Sequence, residues 1–462
     1  MSEVDSPLPF VAPPSLTATA VRGTLISCRD DPFLADPEAA FTCEPDGLVI
    51  CQDGKILAVG AYDKVKDQLP PDCDITNYSG CLISPGFIDA HVHYAQIPVI
   101  GTHAEGLLDW LGKYTYPAEQ ELADENVAAH LAALFCDELL RNGTTSAAVF
   151  CTVHAHSVDT LFTEAKRRNM RLIAGKVLMD RNAPHAICDT AKSGYDESKA
   201  LIDRWHGRGR ALYAITPRFA GTSTPEQLEM AGALWKEHPD VFMQTHIAES
   251  RDEVAWVRQL YPDHDSYLDI YDRYGLIGRR TLLAHGVHLG ETELYRCHKA
   301  GAALAHCPSS NLFLGSGLFR LRNAKHVQRP VEVGLGSDIG AGTSFSLLAA
   351  MGEAYKVAQL NRAAISAIEA FFLATLGGAR ALALDDRIGM LQPGHEADLV
   401  VLDPHATPLL AARNRQTESV RDTLSVLMTL GDPRAVRATY VAGRLHRLTP
   451  ARRGRMVRPR GQ

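Results

Sequence analysis

From residue 85 onward, short apolar runs alternate with longer stretches of helical periodicity, and this alternation constrains the fold of the 462-residue chain most strongly. Strands that alternate with helices in this way are typical of repeated βα units around a parallel sheet. Eight such units predict a closed (β/α)8 barrel over residues 85–384. The strand candidates are residues 83–91, 144–151, 171–179, 212–219, 242–248, 281–286, 302–307 and 332–337.

Both ends of the chain carry a different pattern. Residues 16–84 contain short β-branched runs and a tight turn at Asp53-Gly54, which predicts antiparallel strands. Strand-like runs return at 397–403 and 436–447, after a helical stretch near 364–384. We therefore predict an α/β protein in which residues 16–84 and 385–450 together build a small β-sandwich domain beside the barrel.

The composition of the chain limits which kinds of molecule it can bind. A net charge of −7 provides no basic field that would gather nucleic acid or anionic lipid. Apolar runs such as residues 131–135 are far shorter than the roughly 20 residues of a membrane span. Ten cysteines without any C-x-x-C pair fit reduced thiols. We expect a cytoplasmic protein with a small-molecule partner and with neither nucleic acid nor membrane as a partner.

Metal-binding side chains recur where the predicted barrel strands end, which is the face that carries active sites in such barrels. His91 and His93, in PGFIDAHVHYAQ, are two residues apart and so point to one side of their strand. His246, His285 and Asp338 end the fifth, sixth and eighth candidates. Because these strand ends converge on the barrel axis, the five side chains predict a single catalytic metal. Imidazole and carboxylate ligands suit Zn²⁺ or Fe²⁺.

Other residues offer alternatives to this site. An H-x-H pair alone is weak evidence, because alternating histidines also occur as half-buried strand residues. His154 and His156 form a second such pair, but it follows the second strand candidate in a loop and is interpreted as peripheral. His306 is expected to be packed and hydrogen-bonded. Lys176 would bridge a second metal only if carbamylated, and since the fourth candidate contains no lysine, a mononuclear site is favoured.

Hydrolysis at such a site also needs proton carriers. A metal with an open coordination position lowers the pKa of its water to about 7. Glu249, three residues after His246, is predicted to turn back over the metal as the proton shuttle, and Asp338 can accept the water proton. The alternative for Glu249 is a carboxylate that satisfies the N-terminus of the following helix.

Several motifs resemble the amidohydrolase superfamily over nearly the whole chain: PGFIDAHVHYAQ, THIAES, LLAHGVHL, AHCPSSN, LGSDIGAG and IGMLQPGHEADLVVLD. Within that superfamily, HYAQ, LLDWLGKYTYPAE and TPRFAGTST resemble the guanine deaminase family. The resemblance implies Glu249 as the proton shuttle and one Zn²⁺ per chain, with Fe²⁺ as the alternative. The implied ligands are His91, His93, His246, His285 and Asp338.

The resemblance further implies hydrolytic deamination of guanine to xanthine and ammonia. Gln96 and Arg218 would recognise the oxo edge of the purine, and Phe219 would pack against the ring. A guanidinium and a carboxamide suit a purine oxygen that accepts hydrogen bonds. The alternatives are a salt bridge at the barrel rim for Arg218 and a core aromatic for Phe219.

Two further functions compete with this one. The first is deamination of another aminated purine, a pterin or a triazine at the same site. Arg218 distinguishes guanine from these other substrates, because a substrate without a hydrogen-bond acceptor at that position would leave the buried guanidinium unpaired. The second is a non-catalytic binding protein on the same barrel, which the full set of ligands together with Glu249 disfavours. A homodimer is expected.

Overall fold

The computed structural model describes residues 18–446. Its strands, in chain order, are β1 (Thr19–Cys28), β2 (Phe41–Gln52), β3 (Lys55–Ala61), β4 (Ile75–Pro85), β5 (Phe87–His93), β6 (Thr144–Phe150), β7 (Arg171–Gly175), β8 (Val177–Leu178), β9 (Ala211–Pro217), β10 (Phe242–Ile247), β11 (Thr281–His285), β12 (Ala303–His306), β13 (Val333–Leu335), β14 (Leu399–Leu402), β15 (Val436–Val441) and β16 (Arg444–Leu445).

Helices fill most of the connections between the strands. They are α1 (Pro37–Ala40), α2 (Tyr62–Val65), α3 (Leu107–Trp110), α4 (Tyr116–Gln120), α5 (Glu125–Arg141), α6 (Ala155–Arg168), α7 (Ala191–Trp205), α8 (Pro225–Glu237), α9 (Arg251–Leu260), α10 (Tyr267–Arg273), α11 (Glu291–Ala300), α12 (Pro308–Phe313), α13 (Leu321–Ala324), α14 (Leu347–Leu360), α15 (Ala367–Ala374), α16 (Leu376–Ala381), α17 (Pro408–Asn414) and α18 (Val420–Leu430). Within residues 18–446 we find no helix that is long and apolar enough to cross a membrane.

The central sheet is a nearly closed barrel of eight parallel strands. Its hydrogen-bonded order is β5-β6-β7-β9-β10-β11-β12-β13, and the short β8 also pairs with β9. The segment after β13 meets β5, since the Asp338 N–H donates to the His91 carbonyl (2.9 Å) and the His93 N–H donates to the Ile339 carbonyl (3.0 Å). The predicted (β/α)8 barrel is confirmed.

Small and aliphatic side chains fill the barrel interior. Residues from seven of the barrel strands, among them Ile88, Ala148 and Ala303, form one buried cluster together with α16. Neighbouring positions such as Leu172 and Leu304 belong instead to the large cluster that includes the surrounding helices. The alternation of inward and outward side chains along each strand thus produces both layers.

A second sheet, in the order β16-β15-β14-β4-β1-β2-β3, combines strands from both ends of the described chain. The edge strand β3 is hydrogen-bonded to the segment before β14. The Ile56 N–H donates to the His395 carbonyl (2.8 Å), and the Ala397 N–H donates to the Gly54 carbonyl (2.9 Å). A separate β domain beside the barrel is therefore confirmed. Its predicted limits, 16–84 and 385–450, remain a prediction, and residues 16, 17 and 447–450 lie outside the described residues.

The first predicted strand, 83–91, was wrong at its start. Ile83 lies in β4 and pairs antiparallel with Val401 of β14, whereas β5 begins at Phe87 and pairs with β6. The intervening Gly86 packs so closely on Thr145 that a Cβ atom would lie 2.2 Å from its hydroxyl oxygen. The predicted strand thus ran across Ser84-Pro85-Gly86, the turn-like residues at which the chain crosses from one sheet into the other.

Candidate active site

The structure brings the five predicted metal ligands together at the C-terminal ends of the barrel strands. The Nε2 atoms of His93 and His246 are 3.1 Å apart. One Asp338 carboxylate oxygen lies 3.2 Å from His91 Nε2, and the other lies 3.7 Å from His285 Nε2. Four of the side chains are almost fully removed from solvent, and His246 is partly buried. The cluster is therefore a compact set of nitrogen and oxygen donors inside the barrel.

Irregular backbone aims several of these side chains inward. The register of β5 against β6 shifts between Asp89 and Val92, which adds His91 to the interior face that Ala90 already occupies. His285 and Asp338 both have positive φ angles, of 70° and 51°. Strict alternation would place His285 on the outer face with Leu283, so its left-handed backbone is what turns it inward. Such uncommon conformations are typical of functional sites.

The donor set fits a divalent metal. His246 Nδ1 contacts the Arg218 carbonyl (2.7 Å) and His285 Nδ1 contacts the Asn311 side-chain oxygen (2.9 Å), so each Nδ1 is the protonated nitrogen. The Nε2 atoms of His91 and His285 are buried without a hydrogen-bond partner in the described part of the chain. Burial also lowers the pKa of His93 well below its ordinary value, which favours the neutral imidazole that metals bind.

Glu249 lies beside this cluster. Its Oε2 is 3.4 Å from His285 Nε2, and its Oε1 accepts a hydrogen bond from the Ser316 hydroxyl (3.0 Å). Burial raises the pKa of Glu249 to about 7, so the side chain can both take and give a proton near neutral pH. Burial also opposes ionisation of Asp338, but His91 keeps the pKa of this carboxyl below its ordinary value.

A residue other than Glu249 caps the N-terminus of the following helix, α9. Ser250 and Glu253 form a capping box at the start of α9. The Glu253 carboxylate accepts the Glu249 N–H (2.7 Å) and the Tyr267 hydroxyl (2.6 Å). The alternative that assigned helix capping to Glu249 is therefore wrong, because its neighbour Glu253 occupies that position.

One cavity joins the cluster to the predicted substrate-binding residues. Of the predicted site residues, only His91 is outside its lining. No individual role is predicted for the apolar lining residues from the sequence, although three of them lie in the family-like stretch LLDWLGKYTYPAE. The cavity is lined by His93, Gln96, Leu107, Trp110, Leu111, Arg218, Phe219, His246, Glu249, Glu253, His285, Leu314, Asp338 and Ala341.

Arg218 is already paired in this structure. Its Nη1 lies 2.9 and 2.7 Å from the two carboxylate oxygens of Glu119, which is fully buried. Burial opposes the charge of Arg218, but Glu119 raises the pKa of the guanidinium above its ordinary value. The expectation that a missing acceptor would leave Arg218 unpaired is wrong, because the Glu119 carboxylate already supplies the counter-charge that a buried guanidinium needs. The salt bridge is buried beside the cavity rather than exposed at the rim.

Two buried tyrosines support the site from α10, and the sequence analysis did not identify them. The Tyr271 hydroxyl donates to the His246 carbonyl (2.8 Å) and accepts the Ala220 N–H (2.9 Å). Tyr267 stacks on Tyr271 and donates to Glu253. These contacts connect the strand end that carries His246 with the turn next to Phe219. No sequence signal distinguished the two tyrosines from ordinary core aromatics.

The remaining candidates lie away from the cavity. His154 and His156 stack on each other near the start of α6, and His156 contacts the Leu122 carbonyl (2.7 Å). His306 packs on Phe319 as expected, but its ring nitrogens have no hydrogen-bond partner within residues 18–446.

Lys176 is held in a buried ion pair. Its Nζ lies 2.5 Å from a carboxylate oxygen of Asp189 and 3.3 Å from one of Glu197. A lysine amine engaged with two carboxylates supports the choice of a mononuclear site. Cys307 places a sulfur atom near the cluster, within 4.8 Å of ligand atoms of His91, His285 and Asp338.

Comparisons with known proteins agree with this geometry. The amidohydrolase family model matches residues 82–446. Guanine deaminase from Escherichia coli (strain K12) is 51% identical over 93% of this chain and 98% of its own length. The solved E. coli guanine deaminase superposes with a TM-score of 0.90, covering 93% of this chain and 99% of that chain.

Two further solved structures carry ligands. Guanine deaminase from C. acetobutylicum, with guanine bound in its active site, is 27% identical with a TM-score of 0.83, covering 93% of this chain and 100% of that one. An adenosine deaminase from Xanthomonas campestris with bound zinc is 25% identical with a TM-score of 0.79, covering 94% and 93%. The chain therefore belongs to the amidohydrolase family and, within it, to the guanine deaminases.

Proposed function

We propose that the protein hydrolyses guanine to xanthine and ammonia. The observation that carries this proposal is one cavity in which Arg218 and Gln96 lie on the same lining as Glu249 and the metal-binding cluster. A purine held by its oxo edge can then present its C2 amino group to the hydrolytic residues. Relatives of the same family that are guanine deaminases, one solved with guanine bound, support this substrate.

His91, His93, His246, His285 and Asp338 would hold one metal ion, which we propose to be Zn²⁺, with Fe²⁺ as the alternative. When bound, the ion supplies Lewis acidity that makes water nucleophilic at neutral pH. The zinc in the adenosine deaminase structure supports the choice of Zn²⁺.

The protein side chains supply binding and proton transfer. Addition of water to C2 of guanine releases one proton from the water and requires one at the ring nitrogen beside C2. Glu249 delivers that proton, and Asp338 accepts the proton from water. Glu249 then takes the proton of the new C2 hydroxyl and passes it to the amino group, so that the C2 carbonyl of xanthine forms as the C2–N bond breaks and ammonia leaves. Asp338 returns its proton to Glu249, which restores both side chains. Arg218 and Gln96 hold O6 throughout, while Phe219 packs against the ring.

A substrate panel tests the proposed function. Metal-replete protein is incubated with guanine, adenine, 2-aminopurine, cytosine, a pterin and a triazine, and ammonia release is measured. Guanine should have the highest kcat/KM and should yield xanthine. A higher value for a pterin or a triazine would assign the site to that substrate, and no ammonia from any compound would favour a binding protein. The homodimer and the cytoplasmic location remain predictions from the sequence.

Metal content provides a prediction that does not depend on turnover. We expect about one equivalent of zinc or iron per chain after gentle purification, because the buried donor atoms converge on one position. His246→Asn should lower this content severalfold. His154→Asn, which alters the other H-x-H pair, should leave it unchanged. Elemental analysis of the three proteins decides the matter, and full activity with less than about a tenth of an equivalent would contradict the assignment.

Arg218→Met should reduce selectivity for the oxo group. The charged hydrogen bond to O6 is worth about 1.5–3 kcal/mol, so the ratio of kcat/KM for guanine to that for 2-aminopurine should fall by about tenfold or more. 2-Aminopurine keeps the reacting amino group but lacks O6. Because both kcat/KM values are measured on the same variant, a loss of folded protein lowers both values equally and cancels in their ratio. An unchanged ratio with normal metal content would show that Arg218 does not recognise O6.

A further inference from the structure

Glu119 has no role in the proposed chemistry, yet it contacts both residues that would recognise O6. It lies on α4, is fully buried, and does not itself line the cavity. Its carboxylate accepts hydrogen bonds from Arg218 Nη1 and, at 3.1 Å, from Gln96 Nε2. We infer that Glu119 is a positioning residue that sets the selectivity for a neutral oxo purine by acting through Arg218 and Gln96. The inference rests on the proposed function.

The hydrogen bonds around Glu119 run in one direction. The Gly340 N–H donates to Gln96 Oε1 (3.2 Å), and Gln96 Nε2 in turn donates to Glu119. An ionised carboxylate only accepts hydrogen bonds, so it fixes which end of the Gln96 amide faces which partner. Glutamine at position 119 could turn its own amide nitrogen toward Gln96 Nε2 or toward Arg218. Either arrangement places two donors against each other. A nitrogen that faces Gln96 forces Gln96 to rotate away from Gly340, and a nitrogen that faces only Arg218 forces the guanidinium to shift.

The same carboxylate orients the guanidinium. Both Glu119 oxygens contact one nitrogen of Arg218, and the Tyr116 ring, also on α4, lies 5.5 Å below the guanidinium carbon. Arg218 lines the cavity, so the N–H groups on its other two nitrogens, which stand outside this pair, are the donors we assign to a ligand there. One short helix thus holds the guanidinium in a defined plane.

Charge compensation has a consequence for the class of ligand. With Glu119 present, the Arg218 pair is neutral overall and provides directed N–H donors without a net positive charge. A neutral purine carbonyl can bind such donors, whereas a small anion gains little from them. Without the carboxylate, the buried guanidinium would attract anions into the substrate pocket. Glu119 therefore favours a neutral oxo purine over an anionic ligand.

Glu119→Gln in the metal-replete enzyme tests this role. The guanine to 2-aminopurine ratio of kcat/KM should fall by about tenfold or more, as for Arg218→Met. Inorganic phosphate should inhibit the variant competitively at concentrations that leave the unaltered protein unaffected. Asp189→Asn, which removes the buried carboxylate partner of Lys176 at another strand, is the matched control and should change neither readout.

A double-variant cycle separates positioning from other effects. If Glu119 acts through Arg218, Glu119→Gln should change the ratio less than about twofold in the Arg218→Met background. A ratio that stays at the unaltered value in Glu119→Gln, while Arg218→Met lowers it, would overturn the inference but leave the proposed function intact. A further large loss in the double variant would also overturn it if the same loss persists when Gln96→Ala is added, because Gln96 is the other residue through which Glu119 acts. If Arg218→Met itself leaves the ratio unchanged, the proposed recognition of O6 fails first. Should Glu119→Gln fold poorly, the guanine to 2-aminopurine ratio is compared only between the double variant and Arg218→Met, and that comparison tests the inference.

Discussion

Replacement of Glu249 by glutamine is expected to lower kcat for guanine by about 10²–10⁴-fold, the usual loss when a general acid–base group is removed. The amide is nearly the same size and can still accept the Ser316 hydroxyl, but it cannot carry a proton between water, ring and amino group. KM and metal content should change little, since Glu249 is not among the proposed ligands. Steady-state kinetics with elemental analysis measure all three quantities.

Glu237→Gln is the matched control for this variant. Glu237 is an exposed carboxylate that accepts hydrogen bonds from Tyr195 and Lys199, and it does not line the cavity. The same chemical change there should leave kcat within about twofold of the unaltered value, because surface substitutions rarely matter. A Glu249→Gln variant that turns over guanine at a comparable rate would show that another group transfers the proton.

The sequence was sufficient to predict the barrel and the convergence of its ligands, because strand ends in a closed barrel lie on one face whatever the details of packing. His246 could be placed from its position in the strand pattern alone, whereas His91 reaches the interior only through the register shift in β5. The boundary between the two sheets at Gly86 could not be placed, since the turn-like residues Ser84-Pro85-Gly86 do not reveal that the strands on either side belong to different sheets. Such a boundary is set by which partner strand each half meets.

The residues that support the site were missed for a related reason. Glu119, Glu253 and Ser316 are ordinary polar residues in sequence, and their function arises from contacts across 99, 4 and 67 positions of the chain. The long-range contacts leave no local pattern. Glu253 did have a local signal, since Ser250 and Glu253 have the spacing of a capping box. That signal identifies a helix start but does not reveal a carboxylate that holds the Glu249 backbone.

A charged network joins the barrel to the terminal β domain at the opposite ends of the strands from the active site. Arg171 begins β7 and Arg210 precedes β9, while Glu396 and Asp398 precede β14. Glu396 Oε2 lies 2.7 Å from Arg171 Nε and 3.0 Å from Arg210 Nε, and Arg210 Nη1 lies 3.0 Å from Asp398. The two arginine side chains are almost completely buried. The carboxylate of Glu396 therefore compensates two buried positive charges at once.

Glu396→Gln should lower the free energy of unfolding by about 3–5 kcal/mol, the usual cost of removing one partner of a buried ion pair. Lys192→Ala, which breaks an exposed pair with Asp196, should cost about 0.5 kcal/mol or less. Urea titrations followed by circular dichroism compare the two variants. Equal midpoints would show that the network does not stabilise the contact between the domains.

The pH dependence of the same experiment follows from the charges. Burial alone would raise the pKa of Glu396, but the hydrogen bond from Arg171 and the charge of Arg210 hold it below its ordinary value. The stabilisation is therefore complete above about pH 4.3, the ordinary pKa of a glutamate, and is lost as the pH falls through the lower folded value. The difference between the unaltered protein and Glu396→Gln should accordingly be constant at neutral pH and shrink in acid. Selectivity between guanine and 2-aminopurine should remain unchanged in this variant, because the network does not line the substrate cavity.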